Sequence, residues 1–271
     1  MMKQAIVNLD RAVLNGFMGR LWHAYRARRI VHELNHALEY RFVVRYRKNN
    51  GSLLSRLCDA YGSDKGALKV SGHPYGAAPH TFADFYSQLF DHCRFGVTRV
   101  FECGLGTNNP GVPSNMGAGG RPGASLRVWK DYFPNAQIDG ADIDRNILFT
   151  EDRIRTYHVD QTDPGSIARM WERIGPAEYD LMIDDGIHTF DGGICFFENA
   201  VGRLRSGGIY VIEDVSLLNL NRFRAYFADK AFQVDYANLV RPKLRLGDNS
   251  LVVIRKVGPA GNRATTSKPI G

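Results

Sequence analysis

Val100-Phe101-Glu102-Cys103-Gly104-Leu105-Gly106-Thr107 reads as a short apolar strand, Arg99–Cys103, running into a tight glycine turn. Glycines are needed where a ligand must lie against bare backbone, and such turns often carry φ > 0. Working outward, strand-like segments at 138–143, 156–159, 179–183, 209–212 and 251–255 alternate with helical ones at Ala124–Tyr132, Pro164–Ile174 and 192–204. Strands alternating with helices predict an α/β fold with a doubly wound, mostly parallel sheet. In such sheets ligands bind beyond the carboxyl ends of the strands, and each polar motif considered below falls just after a strand. Upstream, Leu53–Tyr61 and 81–92 read as helices around a loop-like stretch at 66–80. The expected organisation is a helical arm at 1–50, a helical lead-in at 51–97, a core at 98–257 and a disordered tail at 258–271.

The composition of the 271 residues, 44% hydrophobic and 23% charged, suits a water-soluble enzyme. No run approaches the roughly 18 apolar residues of a membrane span. The N-terminus lacks a signal-peptide core, since Arg11, Arg20 and His23 punctuate it. Cys58, Cys93, Cys103 and Cys195 are scattered without zinc spacing, which suits buried thiols in a cytoplasmic protein. Residues 1–50 hold ten Lys/Arg against three acids, and the other 221 residues hold 25 of each, so the arm carries the whole net charge of +7. A nucleic-acid groove across the core is therefore not expected. The arm, apolar at helical spacing with cations between, suits either peripheral contact with an anionic membrane face or packing on its own domain or a second subunit.

Two acids follow the glycine turn. Asp142 ends the second strand, where a carboxylate can accept both hydroxyls of a ribose. Asp160 and Gln161 follow the third, within reach of an adenine edge. Each alone is commonly a helix cap or a solvated loop residue, as Asp163 before Pro164 is expected to be; their serial placement after three strands argues for a nucleoside. A pyrophosphate is disfavoured because position 109 is Asn where G-x-G-x-x-G has its third glycine, a long loop separates Gly106 from the next helix, and Glu102 would repel phosphate. A sulfonium with an amino-acid tail tolerates that acid.

Phe101-Glu102-Cys103-Gly104-Leu105-Gly106 resembles the first motif of class I S-adenosylmethionine-dependent methyltransferases. Tyr61-Gly62-Ser63-Asp64-Lys65-Gly66, Asp184-Asp185-Gly186-Ile187-His188 and Ile212-Glu213-Asp214 resemble motifs of the sugar O-methyltransferases of macrolide and surface-polysaccharide clusters, the mycinamicin and macrocin type. The resemblance spans about residues 55–255 and leaves out the arm. It implies a seven-stranded Rossmann-like sheet and S-adenosylmethionine as methyl donor. The candidate donor set is Glu102, Gly104, Gly106, Ser125, Asp142, Asp160, Gln161 and Asp184, with Ser63 and Lys65 from a donor-proximal loop.

Asp185, Glu213 and Asp214 fall at adjacent strand ends. Three buried negative charges are costly unless cations neutralise them, and hard oxygens of this kind suit Mg2+ or another divalent ion. A metal would bind the acceptor's oxygens and lower the pKa of the hydroxyl to be methylated. His188, three residues after Asp185, is then the candidate general base. In the resembling enzymes the matching acids bind the metal and the matching histidine is the base. The plainer alternative makes Asp184 and Asp214 helix caps, Glu213 the partner of an arginine and His188 a loop residue. His73 and His80, in the loop before the helix at 81–92, are expected at the surface, with a place at the cleft as the alternative for one of them. The loop at 107–123 is read as a lid or as an inert surface loop. Expected function is methyl transfer to a hydroxyl of a sugar or glycosylated intermediate. The alternatives are N-methylation of an amino sugar or phosphoramidate, and a non-catalytic adenosyl-binding module.

Overall fold

Strand β1 (Arg99–Cys103) is apolar on both faces, and both faces are covered: Val100 packs into one hydrophobic cluster and Phe101 into another. The computed structural model describes Tyr25, Arg29 and residues 51–67, 79–112, 114–240 and 247–256. Around β1 lie β2 (Gln137–Asp142), β3 (Thr150–Glu151), β4 (Ile154–His158), β5 (Tyr179–Asp184), β6 (Leu204–Ile212), β7 (Gln233–Asn238) and β8 (Ser250–Arg255). They form one sheet in the order β3-β4-β2-β1-β5-β6-β8-β7. Pairs from β4 through β6 are parallel, whereas β8 runs antiparallel to β6 and β7, and β3 to β4.

Period-two alternation sorts side chains between the layers. Val100, Leu181, Ile183, Val211 and Val253 face α1 (Leu53–Tyr61), α2 (Ala83–Phe90) and α3 (Ala124–Tyr132), with Leu54, Tyr86 and Trp129 packed among them. Phe101, Met182, Tyr210, Val252 and Ile254 face α4 (Pro164–Ile174), α5 (Phe190–Ala200) and α6 (Leu217–Phe227), with Met170, Phe196 and Phe223. Each large apolar side chain so buried contributes on the order of 2 kcal/mol through area removed from water. The helices begin where the chain supplies a cap: Ser52 accepts from Ser55 N, Asp163 from Gly165 N beside Pro164, Thr189 from Gly192 N and Ser216 from Asn219 N.

The chain leaves β1 for β2 on one side and reaches β5 on the other, so the connection order reverses at β1. Cys103 lies opposite both Ala141 and Asp184, and Asp184 opposite Ile212. The residues that follow, Gly104, Asp142, Asp185 and Glu213, therefore stand in a row at one sheet edge.

The sheet has eight strands, the seven implied by resemblance plus the two-residue β3 hairpin edge on β4. Strand β7 and helix α6 were not read from the sequence: β7 is an edge strand with no fully buried residue, and its alternation holds only over the first four positions. The helix expected at 192–204 starts at Phe190 and ends at Ala200, because Thr189 caps it and a 3-10 turn follows. Strand β6 extends back to Leu204 through a glycine pair, Gly207 and Gly208, that conceals it in the sequence. The expectations for the arm, apart from Tyr25 and Arg29, and for the tail at 258–271 lie outside the described residues, as does His73. Among the described residues no helix is long and apolar enough to cross a membrane.

Candidate active site

The turn after β1 is held by its neighbours. Gly104 and Gly106 have φ of 95° and 77°. A Cβ on Gly104 would stand 2.0 Å from the carbonyl oxygen of Asp185, so the glycine turn is packed directly on the segment carrying Asp185. Asp142 ties the turn down: Oδ2 accepts from Leu105 N at 2.7 Å and Oδ1 from Asp144 N at 2.8 Å. Burial raises its pKa, against the pull of these backbone hydrogen bonds. The loop at 107–123 closes on itself, Asn108 Nδ2 donating to the carbonyls of Ala118 and Gly120 at 3.2 and 2.8 Å. Ser114 Oγ donates across to Ile187 O at 3.4 Å. The loop is thus an internally bonded wall.

At the carboxyl ends of β1, β5 and β6 four carboxylates and three cations interlock. Lys65 Nζ donates to Asp185 Oδ2 at 2.6 Å and to Glu213 Oε2, and lies 3.2 Å from Glu102 Oε1. Burial disfavours its charged form, but these acids outweigh burial and lift its pKa well above the usual value. Glu213 Oε1 accepts from Tyr86 OH at 2.5 Å, and Glu102 Oε2 from Trp129 Nε1 at 3.0 Å. His188 Nε2 lies 3.3 Å from Asp185 Oδ1 and 3.5 Å from Asp214 Oδ2, and His80 Nδ1 contacts Asp214 Oδ1. Burial works against protonation of His188, yet the hydrogen bond to Asp185 and the charge of Asp214 lift its pKa to about 10. His80, likewise opposed by burial and supported by Asp214, is raised to about 9. Asp185 is held well below the usual carboxylate range: burial pushes it up, but Lys65 and His188 prevail.

A cleft of about 690 Å³ joins the two regions. Of the expected donor residues it is lined by Gly104, Gly106, Ser125, Asp142, Asp160, Gln161, Ser63 and Lys65, and at its other end by Asp185, His188 and Asp214. Among the described residues, Asp185, His188 and Asp214 each offer a ligand atom, all within 4.8 Å of one another.

Several placements differ from expectation. Glu102 is fully buried and does not line the cleft, because it shares the Val100 face of β1 and points under α3 toward Trp129. Asp184, expected at the donor, faces the other layer, where its Oδ1 accepts from Gln161 Nε2 at 3.1 Å; burial raises its pKa to about 6. Glu213, expected as a metal ligand, sits in the wall behind Asp185 with both oxygens engaged by Lys65 and Tyr86. Its partner is a lysine, not the arginine of the plainer alternative. Lys65 lines the cleft as the counter-ion of three acids. His80 is not at the surface: it is 9% exposed and lines the cleft. Backbone bonds from His80 N to Asp64 O and Ala83 N to Lys65 O bring both cations from the lead-in to the acids. The available signal was electrostatic, since buried acids at strand ends require cations, and the lead-in holds Lys65 and His80.

The architecture is that of the class I methyltransferases. The structure superposes on the MycE methyltransferase of the mycinamycin biosynthetic pathway, in complex with Mg, SAH and mycinamycin VI, with a TM-score of 0.56 and 26% identity over 79% of this chain and 57% of that one. In sequence the chain is 32% identical over 176 residues to 8-demethyl-8-alpha-L-rhamnosyl tetracenomycin-C 2'-O-methyltransferase of Streptomyces olivaceus, covering 65% of this chain and 41% of that protein. It is 38% identical over 136 residues to mycinamicin VI 2''-O-methyltransferase of Micromonospora griseorubida, covering 50% and 32%. The chain thus spans about a third to two-fifths of the length of these relatives. No family model matches the chain.

Proposed function

We propose that this chain carries an S-adenosylmethionine-dependent methyltransferase centre that acts on a hydroxyl of a sugar or glycosylated small molecule, with a divalent metal and His188 as base. What supports the reading above all is one cleft lined at one end by a bare glycine turn with Asp142 and at the other by Asp185, His188 and Asp214. Similarity to sugar O-methyltransferases, and to a structure holding Mg and SAH, points the same way.

Gly104 and Gly106 leave backbone free for the adenosyl sulfonium. Asp142 already accepts one N–H on each oxygen and keeps a lone pair on each for ribose hydroxyls. Gln161's amide is engaged by Asp184 and Ile187 N, so Asp160 is left to meet the adenine edge.

The acceptor end suits Mg2+. Oxygen donors predominate, and the carboxylates outnumber the cations around them, so an added divalent ion is welcome. Asp185 and Asp214 would hold it, and when bound such an ion lowers the pKa of an attached hydroxyl. With the carboxylates neutralised, His188 would no longer be kept protonated, and its Nε2 could take the acceptor's proton as the oxygen forms its bond to the methyl carbon and the sulfur departs as a thioether. Positioning the nucleophile accounts for most of the remaining barrier.

The test combines calorimetry with S-adenosylhomocysteine and Mn2+ and mass spectrometry of rhamnosylated acceptors incubated with methyl-labelled donor. Binding of both ligands is expected, with label on an acceptor hydroxyl and turnover reduced roughly 10²–10⁴-fold in His188→Ala. No heat with S-adenosylhomocysteine rejects the donor site, and full activity in EDTA rejects the metal.

A further inference from the structure

We infer that His80 is a positioning residue of the acceptor site, clamping one oxygen of Asp214 so that the other is presented to His188 and the cleft. The inference deepens the proposed methyltransferase reading and rests on it for the identity of the site.

Asp214 is a carboxylate forked between two imidazoles: Oδ1 contacts His80 Nδ1, and Oδ2 lies 3.5 Å from His188 Nε2. A lone carboxylate at a strand end can rotate about its terminal torsion, and that torsion has a broad, shallow preference. A directional contact on one oxygen removes the freedom and aims the other. His80 is itself fixed. Its ring packs edge-on against Phe82 at 5.1 Å and 80°, its side chain is 11% exposed, and its Nε2 lies 3.9 Å from Asp248 Oδ1.

The backbone gives an independent sign that this arrangement is functional. Thr81, His188 and Asp214 have φ of 63°, 56° and 50°. Left-handed backbone at non-glycine residues costs on the order of 1–3 kcal/mol each and persists where the surroundings over-determine it, commonly at active sites. Of the five such residues among the described ones, three are the forked aspartate, the second imidazole of the fork and the neighbour of the first; the other two are Ser114 and Arg153. All three side chains of the fork also line the one cleft. A histidine that served only to fill the core would need no contact with a strained, cleft-lining carboxylate.

The test uses the full-length chain carrying isotope-labelled histidine, with His188 ring resonances read at a single pH and assigned by His188→Gln. His80→Ala should shift those resonances and weaken Mn2+ binding by roughly 10–100-fold, as loss of a ligand-orienting partner does. Affinity for S-adenosylhomocysteine should stay within about twofold, because among the described residues neither imidazole of the fork nor Asp214 has a hydrogen bond to Gly104, Gly106, Asp142 or Asp160. His80→Asn, whose amide can replace the Nδ1 contact, should restore both properties, whereas His80→Gln, whose amide falls near Nε2, should not. Unchanged His188 resonances in His80→Ala overturn the inference, as does failure of His80→Asn to recover them in a folded protein. If the unaltered chain binds no Mn2+ while the resonances still move and recover, the metal reading fails and the positioning role stands.

Discussion

Replacing Gly104 by alanine probes the joint between the donor and acceptor ends of the cleft. The added Cβ would lie 2.0 Å from the carbonyl oxygen of Asp185, 2.5 Å from its carbon and 3.0 Å from Gly186 Cα. These are backbone atoms, so no rotamer change relieves the contact, and the segment must retreat by about 1.4 Å to reach ordinary separation. The alanine must also adopt φ near 95°, which costs roughly 1–2 kcal/mol, and overpacking adds roughly 1–3 kcal/mol. The expected loss of stability is therefore about 2–5 kcal/mol. Gly117→Ala is the internal control, since Gly117 has φ of 73° with no described residue within 4 Å of its Cβ position; only the conformational cost of about 1–2 kcal/mol applies there. Urea unfolding of both variants isolates the steric contribution. Calorimetry should show S-adenosylhomocysteine binding weakened about 10–100-fold in Gly104→Ala, in line with a displacement of about 1–1.4 Å. If Gly104→Ala matches Gly117→Ala in stability and the unaltered chain in affinity, the two ends of the cleft are not coupled through this contact.

Trp129→Phe removes the indole donor to Glu102 Oε2 and should lower stability by about 1–3 kcal/mol, the cost of a buried carboxylate oxygen left unsatisfied. Its affinity for S-adenosylhomocysteine should hold, and a large loss would return Glu102 to the donor site. Thr107→Val removes the hydroxyl that donates to Asp144 Oδ2 at 2.6 Å and, with Asn146, lowers that carboxyl's pKa. A folded-state pKa below the unfolded one stabilises the protein above the unfolded value, near 4, and the benefit fades as pH falls through the folded value. Thr107→Val should thus melt earlier at pH 7, with the gap from the unaltered chain narrowing below about pH 4; a gap independent of pH would assign the loss to packing.

The sequence by itself determined the alternation of elements, and so the doubly wound sheet, because apolar runs and capping residues act locally. Helices Leu53–Tyr61, Ala124–Tyr132 and Pro164–Ile174 match their expected bounds, each defined by a cap or glycine close by in the chain. It also placed Gly104, Asp142, Asp160, Asp185 and His188 after strands, and parallel pairing in register then draws strand tips together. Only the tertiary structure decided which acids face the cleft and which lie behind it. Glu102 and Asp184 stand one residue from cleft-lining positions and are turned to opposite layers by the two-residue period. Lys65 reaches Asp185 and Glu213, and His80 reaches Asp214, across more than a hundred residues, guided by the electrostatic demand of buried carboxylates, and no local pattern in the chain encodes that pairing.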